Sequence, residues 1–312
     1  MNEFEVIKRF FQSPSESTGL AVGIGDDCAV LSPPPGHQLV LTTDTLLEGV
    51  HFPAKCPADK LGFRSAAAAI SDIAAMGGTA NWANLALSVP KIEPVWLENF
   101  VGGFSDVFGI DKTSLIGGDL TRGPLSITWH ITGVVPDGQA MLRTGSDVGD
   151  DIYVTGELGS AAFAVRYLDA GEMSEALNSA YWAPLPRTNI GREIRAFASS
   201  CIDLSDGLLG DLQHILAASH VAAQLDLESI PLSAALDKLP KKEKLNLGIN
   251  GGDDYELCFT AKPTHRSAIE EIAVRCNVPI SKIGAIISPN EHGMIQSSCG
   301  EILTPASFDH FE

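Results

Sequence analysis

Apolar, β-branched runs bounded by glycine, proline or aspartate alternate along this chain with helical stretches, and that alternation confines it to sheets covered by helices. Strands are predicted at residues 38–43, 84–89, 113–116 and 127–135. Helices are predicted at 61–76, which is rich in alanine, and at 95–108, where Leu97, Val101, Phe104 and Phe108 recur at helical spacing. The pattern breaks at the turn Pro136-Asp137-Gly138 and at the glycine- and aspartate-bearing residues 145–150, then resumes with a strand at 151–155. Further helices are predicted at 160–170, 188–199, 207–219 and 265–276, and strands near 222–227, 255–261 and 280–285. The expectation is two α/β domains in series, residues 1–140 and 141–312, each near the usual size of roughly 150 residues.

Composition narrows the function. Hydrophobic residues make up 45% and charged residues 19%, and no apolar stretch approaches the roughly 20 residues that span a bilayer. The opening residues carry early acids and lack a basic segment followed by an apolar run, so a cytoplasmic location is expected. Six scattered cysteines without a Cys-x-x-Cys pair fit reduced thiols, with Cys28 expected to be small and buried. A formal charge of -18 repels phosphate backbones and anionic lipid, which argues against nucleic acid and membrane as partners.

Some of these acids are placed where chains turn. Gly25-Asp26-Asp27, Thr42-Thr43-Asp44-Thr45, Gly117-Gly118-Asp119, Asp203-Leu204-Ser205-Asp206-Gly207 and Gly251-Gly252-Asp253-Asp254 set aspartate beside glycine or threonine, and Asp72 lies in the alanine-rich helix. Any one of them reads equally well as a turn or a helix cap. Asp44 and Asp119 each directly follow a predicted strand, where ligands of α/β sheets collect. Converging carboxylates repel one another unless a cation joins them, and oxygen donors suit magnesium or manganese rather than zinc or copper. Magnesium between carboxylates and a polyphosphate makes a nucleotide site on an acidic protein. No Gly-Lys-Ser/Thr, no G-x-G-x-x-G opening a helix, no H-E-x-x-H, no G-x-S-x-G and no EF-hand loop occurs.

In order and spacing, GIGDDCAV, TTDTLLEGVHFP, SDIAAMGG, LIGGDLTRGP, DIYVTGELG, IDLSDGLLGDL and GGDDYELCF resemble the thiamine-monophosphate kinase family, of the wider aminoimidazole-ribonucleotide synthetase-like superfamily. The resemblance implies a two-domain PurM-like fold of α/β (α+β) class, in which an amino-terminal mixed sheet with helices forms a homodimer and a carboxy-terminal α/β domain completes the active site. It implies phosphoryl transfer from ATP to thiamine monophosphate with several magnesium ions. By matching motif, Asp27, Thr42, Thr43, Asp44, Asp72, Asp119, Asp203 and Asp206 correspond to metal ligands. Gly118, Asp119, Arg143 and Ser205 correspond to nucleotide contacts, and His51, Asp253 and Phe308 to substrate contacts, with Asp44, Asp119 and Arg143 central to catalysis. Asp253 stands where the family usually has glutamate, and Leu120 where it usually has a threonine whose hydroxyl lies near the phosphates. A sister synthetase, or a magnesium- or nucleotide-binding regulator without turnover, is the alternative.

Overall fold

The computed structural model describes residues 2–12, 18–168, 173–289 and 294–306. The chain divides into two compact units, Met1–Ile73 with Gly78–Gly138, and Ala74–Gly77 with Gln139–Glu312.

In the first unit the strands are β1 (Leu20–Val22), β2 (Val30–Leu31), β3 (His37–Leu47), β4 (Thr79–Val89), β5 (Ser114–Arg122) and β6 (Ser126–Pro136). The last four form a mixed sheet in the order β3-β6-β4-β5. Helices Ala58–Ala75 and Pro94–Asp111 cover one face. Proline suits the first turn of the second helix, where an N–H has no partner to lose, and Lys112 ends it in the left-handed region (φ 59). Trp129 of β6 binds this layer to the sheet: its ring meets Phe104 and Phe108 edge-on at 5.1 and 5.3 Å, and its Nε1 donates to Ser65 Oγ at 3.0 Å. On the other face the β1–β2 ribbon packs Leu20, Ala29 and Leu31 against Trp82, Ile116 and Val134. Beyond the ribbon that face is open, and Leu39, Leu41 and Leu47 of β3 are exposed there.

The second unit holds β7 (Asp151–Thr155), β8 (Ala198–Asp203), β9 (Ala222–Leu225), β10 (Leu257–Ala261), β11 (Ile280–Ile287) and β12 (Ile295–Ser297), in the order β12-β9-β11-β7-β10-β8. All pairings are antiparallel except β12 with β9. One apolar cluster joins helix Leu208–Ser219 to Ile152, Val154 and Ile202; the other joins Ile190, Ile194, Ile269 and Ile272 to Tyr153, Cys201 and Phe259. Side chains alternate between the two clusters along β7, which is why every one of its residues is buried.

The structure lengthens or replaces several predicted elements. β5 continues through Gly117-Gly118 to Arg122, because a neighbouring strand supplies the hydrogen bonds that make a glycine pair extend rather than turn. Asp44 and Asp119 therefore lie inside strands rather than after them. The helix predicted at 188–199 ends at Ile194 and gives way to β8, a strand with no sequence signal of its own. Helices Glu175–Trp182 and Lys241–Asn250 were not anticipated, and Cys28 is exposed.

Helices Ala58–Ala75 and Pro94–Asp111 approach backbone to backbone. A Cβ on Gly103 would fall 1.8 Å from Asp59 O, whereas Gly102 has open space around it. Gly103→Ala should therefore lower stability by about 1–3 kcal/mol through overpacking, while Gly102→Ala should be neutral or stabilise by up to about 1 kcal/mol, both read from urea unfolding.

Asp151 accepts from Arg266 Nε at 2.6 Å, Arg266 Nη2 at 2.9 Å and Lys282 Nζ at 2.8 Å. Burial pushes its carboxyl up, but the two cations outweigh burial and hold it below the ordinary value. A depressed carboxylate stabilises the fold above its unfolded pKa, and that contribution is lost as pH falls through the lower folded value. Asp151→Asn should lower Tm at pH 7 by a few degrees, and its difference from wild type should shrink as thermal scans move below about pH 4.

Candidate active site

The register of the first sheet decides where its acids face. Asp44 pairs with Trp129, Trp129 with Leu85, and Leu85 with Gly118, so this row lies on the helix-covered face. Thr42 shares that face and its Oγ1 donates to Asp72 Oδ2 of helix Ala58–Ala75. Thr43 points the other way, with its hydroxyl 2.8 Å from His130 Nδ1. The next row, Thr45, Thr128, Ala86 and Asp119, also belongs to the open face. Asp44 and Asp119 thus occupy opposite edges and opposite faces of the sheet, three strand spacings or roughly 14 Å apart. The loop carrying Asp27 belongs to the ribbon on the open face; Asp27 is exposed, and its N–H donates to Asp26 Oδ1 at 2.8 Å. His51 follows β3, and its Nδ1 accepts from Leu47 N–H at 3.0 Å, which leaves the proton on Nε2.

In the second unit Asp203 closes β8 and is buried, while Ser205 and Asp206 are exposed in the bend before helix Leu208–Ser219. Asp206 N–H donates to Asp211 Oδ2 at 3.1 Å, one turn into that helix. Asp211 is buried, and burial, followed by the charges of Asp203 and Asp206, pushes its carboxyl up to about 8. The loop of Asp253 runs against the same bend: a Cβ on Gly252 would fall 2.3 Å from Ser205 O, and Asp253 N–H donates to Ser205 O at 2.8 Å. Asp253 itself accepts from the Tyr255 hydroxyl at 3.2 Å. Arg143 is exposed on a loop pinned by Ser219, whose hydroxyl donates to Arg143 O and accepts from the N–H groups of Gly145 and Ser146, each at 3.2 Å. Phe308 lies outside the described residues.

Among the described residues no three His, Cys, Asp or Glu side chains gather closely enough to hold a metal ion by themselves. The acids form instead small oxygen-donor sets, Thr42–Asp72 with Asp44 on one face of β3 and Asp203–Asp206–Asp211 at the end of β8.

The family models for AIR synthase related protein match this architecture, the N-terminal domain at residues 25–135 and the C-terminal domain at 147–296. Over 320 residues the chain is 40% identical to thiamine-monophosphate kinase of Escherichia coli (strain K12), a match covering 99% of this chain and 98% of that protein. This chain belongs to the thiamine-monophosphate kinase family. Among solved members, the enzyme from Stenotrophomonas maltophilia K279a superimposes with a TM-score of 0.89 at 41% identity, covering 96% of this chain and 98% of the other. AaThiL complexed with AMPPCP and TMP superimposes with a TM-score of 0.77 at 25% identity, covering 90% and 89%.

Against the family pattern, Leu120 sits differently from its sequence reading. It pairs with Leu87 on the helix side, is buried, and lines an open groove of about 380 Å³ with Val89, Pro90, Ile92 and Arg122. A hydroxyl there would face away from Asp119. Sequence reading also passed over Asp211, although an aspartate among Leu208, Leu209 and Leu212 on an apolar helix face was a visible signal.

The opposed directions of Thr42 and Thr43 are testable. Thr42→Val strips Asp72 of a donor beside Asp44, whereas Thr43→Val removes a hydroxyl that meets His130. In kinase assays of purified variants Thr42→Val should lose about tenfold or more in kcat/KM, a hydrogen bond to a charged group being worth about 1.5–3 kcal/mol, and Thr43→Val should lose less.

Proposed function

We propose that this chain transfers the γ-phosphoryl group of ATP to the phosphate of thiamine monophosphate, giving thiamine diphosphate and ADP. The observation that carries this reading is the match, over nine-tenths of both chains, to a structure complexed with AMPPCP and TMP. The acceptor oxygen belongs to a phosphate whose second pKa is about 6, so it is already largely ionised near neutrality and needs no strong general base. Alignment and charge neutralisation remain for the protein to supply.

The residues present fit a hydrated hard cation. The donors are carboxylate and hydroxyl oxygens, and magnesium, which keeps several waters, is bound through one or two carboxylates together with substrate phosphates rather than by a closed protein cage. The proposed ligands are Asp27, Thr42, Thr43, Asp44, Asp72 and Asp119 of the first unit and Asp203 and Asp206 of the second. Bound magnesium would supply neutralisation of the facing phosphates and a template for in-line displacement.

Gly118, Asp119, Arg143 and Ser205 are proposed to hold the nucleotide, with the exposed guanidinium of Arg143 meeting phosphate charge as a planar fork. His51, Asp253 and Phe308 are proposed for the thiamine monophosphate. Because Asp253 is one methylene shorter than the usual glutamate, its hydrogen bond to Tyr255 sets how far its carboxylate extends.

We also propose a homodimer formed through the first unit. Its open face exposes Leu39, Leu41 and Leu47, a row that needs a cover. Among the described residues no helix is long and apolar enough to cross a membrane, and a cytoplasmic location is proposed.

The reaction is tested by incubating the protein with ATP and magnesium, with and without thiamine monophosphate, and separating products by chromatography. Thiamine diphosphate and ADP should appear in equal amounts only with the acceptor. Asp44→Asn should cut kcat by about a hundredfold or more with an unchanged circular dichroism spectrum, because it removes a ligand charge at constant shape. Excess chelator should stop turnover and zinc should not restore it; activity undiminished by chelator would contradict the metal assignment.

A further inference from the structure

Arg187 and Glu256 meet across 69 residues of sequence, and neither belongs to the site assigned above. The guanidinium grips the carboxylate with both arms: Nε donates to Oε2 at 2.6 Å and Nη2 to Oε1. The Arg187 and Glu256 side chains are only 20% and 7% exposed. Thr155 completes the arrangement, its hydroxyl donating to Glu256 Oε2 at 2.6 Å while accepting from Leu257 N–H at 2.8 Å. Gly156 follows with φ +63, and a Cβ there would fall 1.9 Å from Glu256 Oε1, so the end of β7 is shaped around the carboxylate. Apolar side chains of similar volume commonly stabilise a core as well as a buried ion pair does. Such a pair gains a purpose where it fixes direction.

The main chain shows what is fixed. Leu204 N–H donates to Glu256 O, Tyr255 N–H to Leu204 O and Asp253 N–H to Ser205 O, each at 2.8 Å. Glu256 therefore stands at the root of a loop stitched to the segment that bears Asp203, Ser205 and Asp206. Asp253 (φ 70) and Tyr255 (φ 49) are left-handed, a conformation that residues other than glycine keep only when their surroundings over-determine it. Asp254, between them, turns its carboxylate inward to accept from Gly159 N–H at 2.9 and 3.1 Å. The loop is clamped on both sides of Asp253.

We infer that Arg187 is a positioning residue for phosphoryl transfer: acting through Glu256, it holds residues 251–255 so that Asp253 is presented to the acceptor and Ser205 and Asp206 keep their places. This rests on the kinase reading above. Neither Arg187 nor Glu256 touches the reacting phosphates in this assignment.

The test compares full-length wild type, Arg187→Met, Arg187→Lys, Thr155→Val and the apolar pair Arg187→Met with Glu256→Met. Steady-state kinetics per folded molecule are measured alongside amide hydrogen exchange of residues 203–206 and 251–256. Arg187→Met should raise KM for thiamine monophosphate about tenfold or more and speed exchange in both segments, while β11 stays protected. Arg187→Lys, which keeps the charge without the fork, should fall between it and wild type. Thr155→Val, losing one hydroxyl at nearly constant volume, should shift KM and exchange in the same direction, and it carries the test if Arg187→Met does not fold. The apolar pair should recover Tm without recovering KM. Variants that lose Tm while KM and local exchange stay at wild-type values would overturn the inference, as would an apolar pair that recovers both. Wild type that forms no thiamine diphosphate would sink the kinase reading alone, and exchange would still decide whether the clamp orders the loop.

Discussion

The acids of the first unit depend on the register of β3 against β6 and of β4 against β5. Side chains alternate along a strand with a period of two, so a slip of one residue exchanges faces for every group it carries. With β3 paired as observed, Thr42 meets Asp72 of the helix, Asp44 shares its face, and Thr43 meets His130. The apolar members of the same rows hold that register. Val40 and Leu46 are buried with Trp129 beneath the helices, and a slip would bring Leu39, Leu41 and Leu47 inward while expelling them. Burial of hydrocarbon thereby fixes the direction of carboxylates that take no part in the core.

Electrostatics constrains the second unit in a complementary way. Asp203, Asp206 and Asp211 are brought together by a strand end and the first turn of a helix, and burial, followed by the charges of Asp203 and Asp206, keeps the Asp211 carboxyl elevated. Elsewhere in the unit, Glu256 and Asp151 are buried acids whose charges are met by arginine. Glu256 and Asp151 are thus met by cations of the chain, whereas Asp211 is buried beside Asp203 and Asp206 and its carboxyl is raised to about 8. A net charge of -18 distributed in this manner suits polyphosphate bound through metal, not polyphosphate bound by basic side chains.

Much of this was legible in the sequence, for identifiable reasons. The long helices announced themselves by periodicity, and the acidic segments by aspartate beside glycine. The direction of Asp119 was not legible. It depends on Ile116, the extra residue of β5 that has no partner between the pairs Ala83–Leu115 and Asn84–Gly117, and such a bulge is set by the neighbouring strand. β8 was hidden because Ala198-Ser199-Ser200-Cys201 lacks bulky β-branched residues and becomes a strand only through its pairing with β10. The Arg187–Glu256 pair was invisible because nothing local links residues so far apart in sequence.

The bulge at Ile116 has a consequence for how such a chain can change over time. It acts as a one-residue spacer that rotates the rest of β5, so that Ile116 packs beneath the ribbon while Asp119 looks out from the open face and Leu120 from the helix side. Replacing a side chain nearby alters one contact. Gaining or losing a single residue between Ser114 and Gly117 would instead reverse every group from Gly118 onward, burying the acid and exposing the leucine. This segment can therefore drift in composition but not in length.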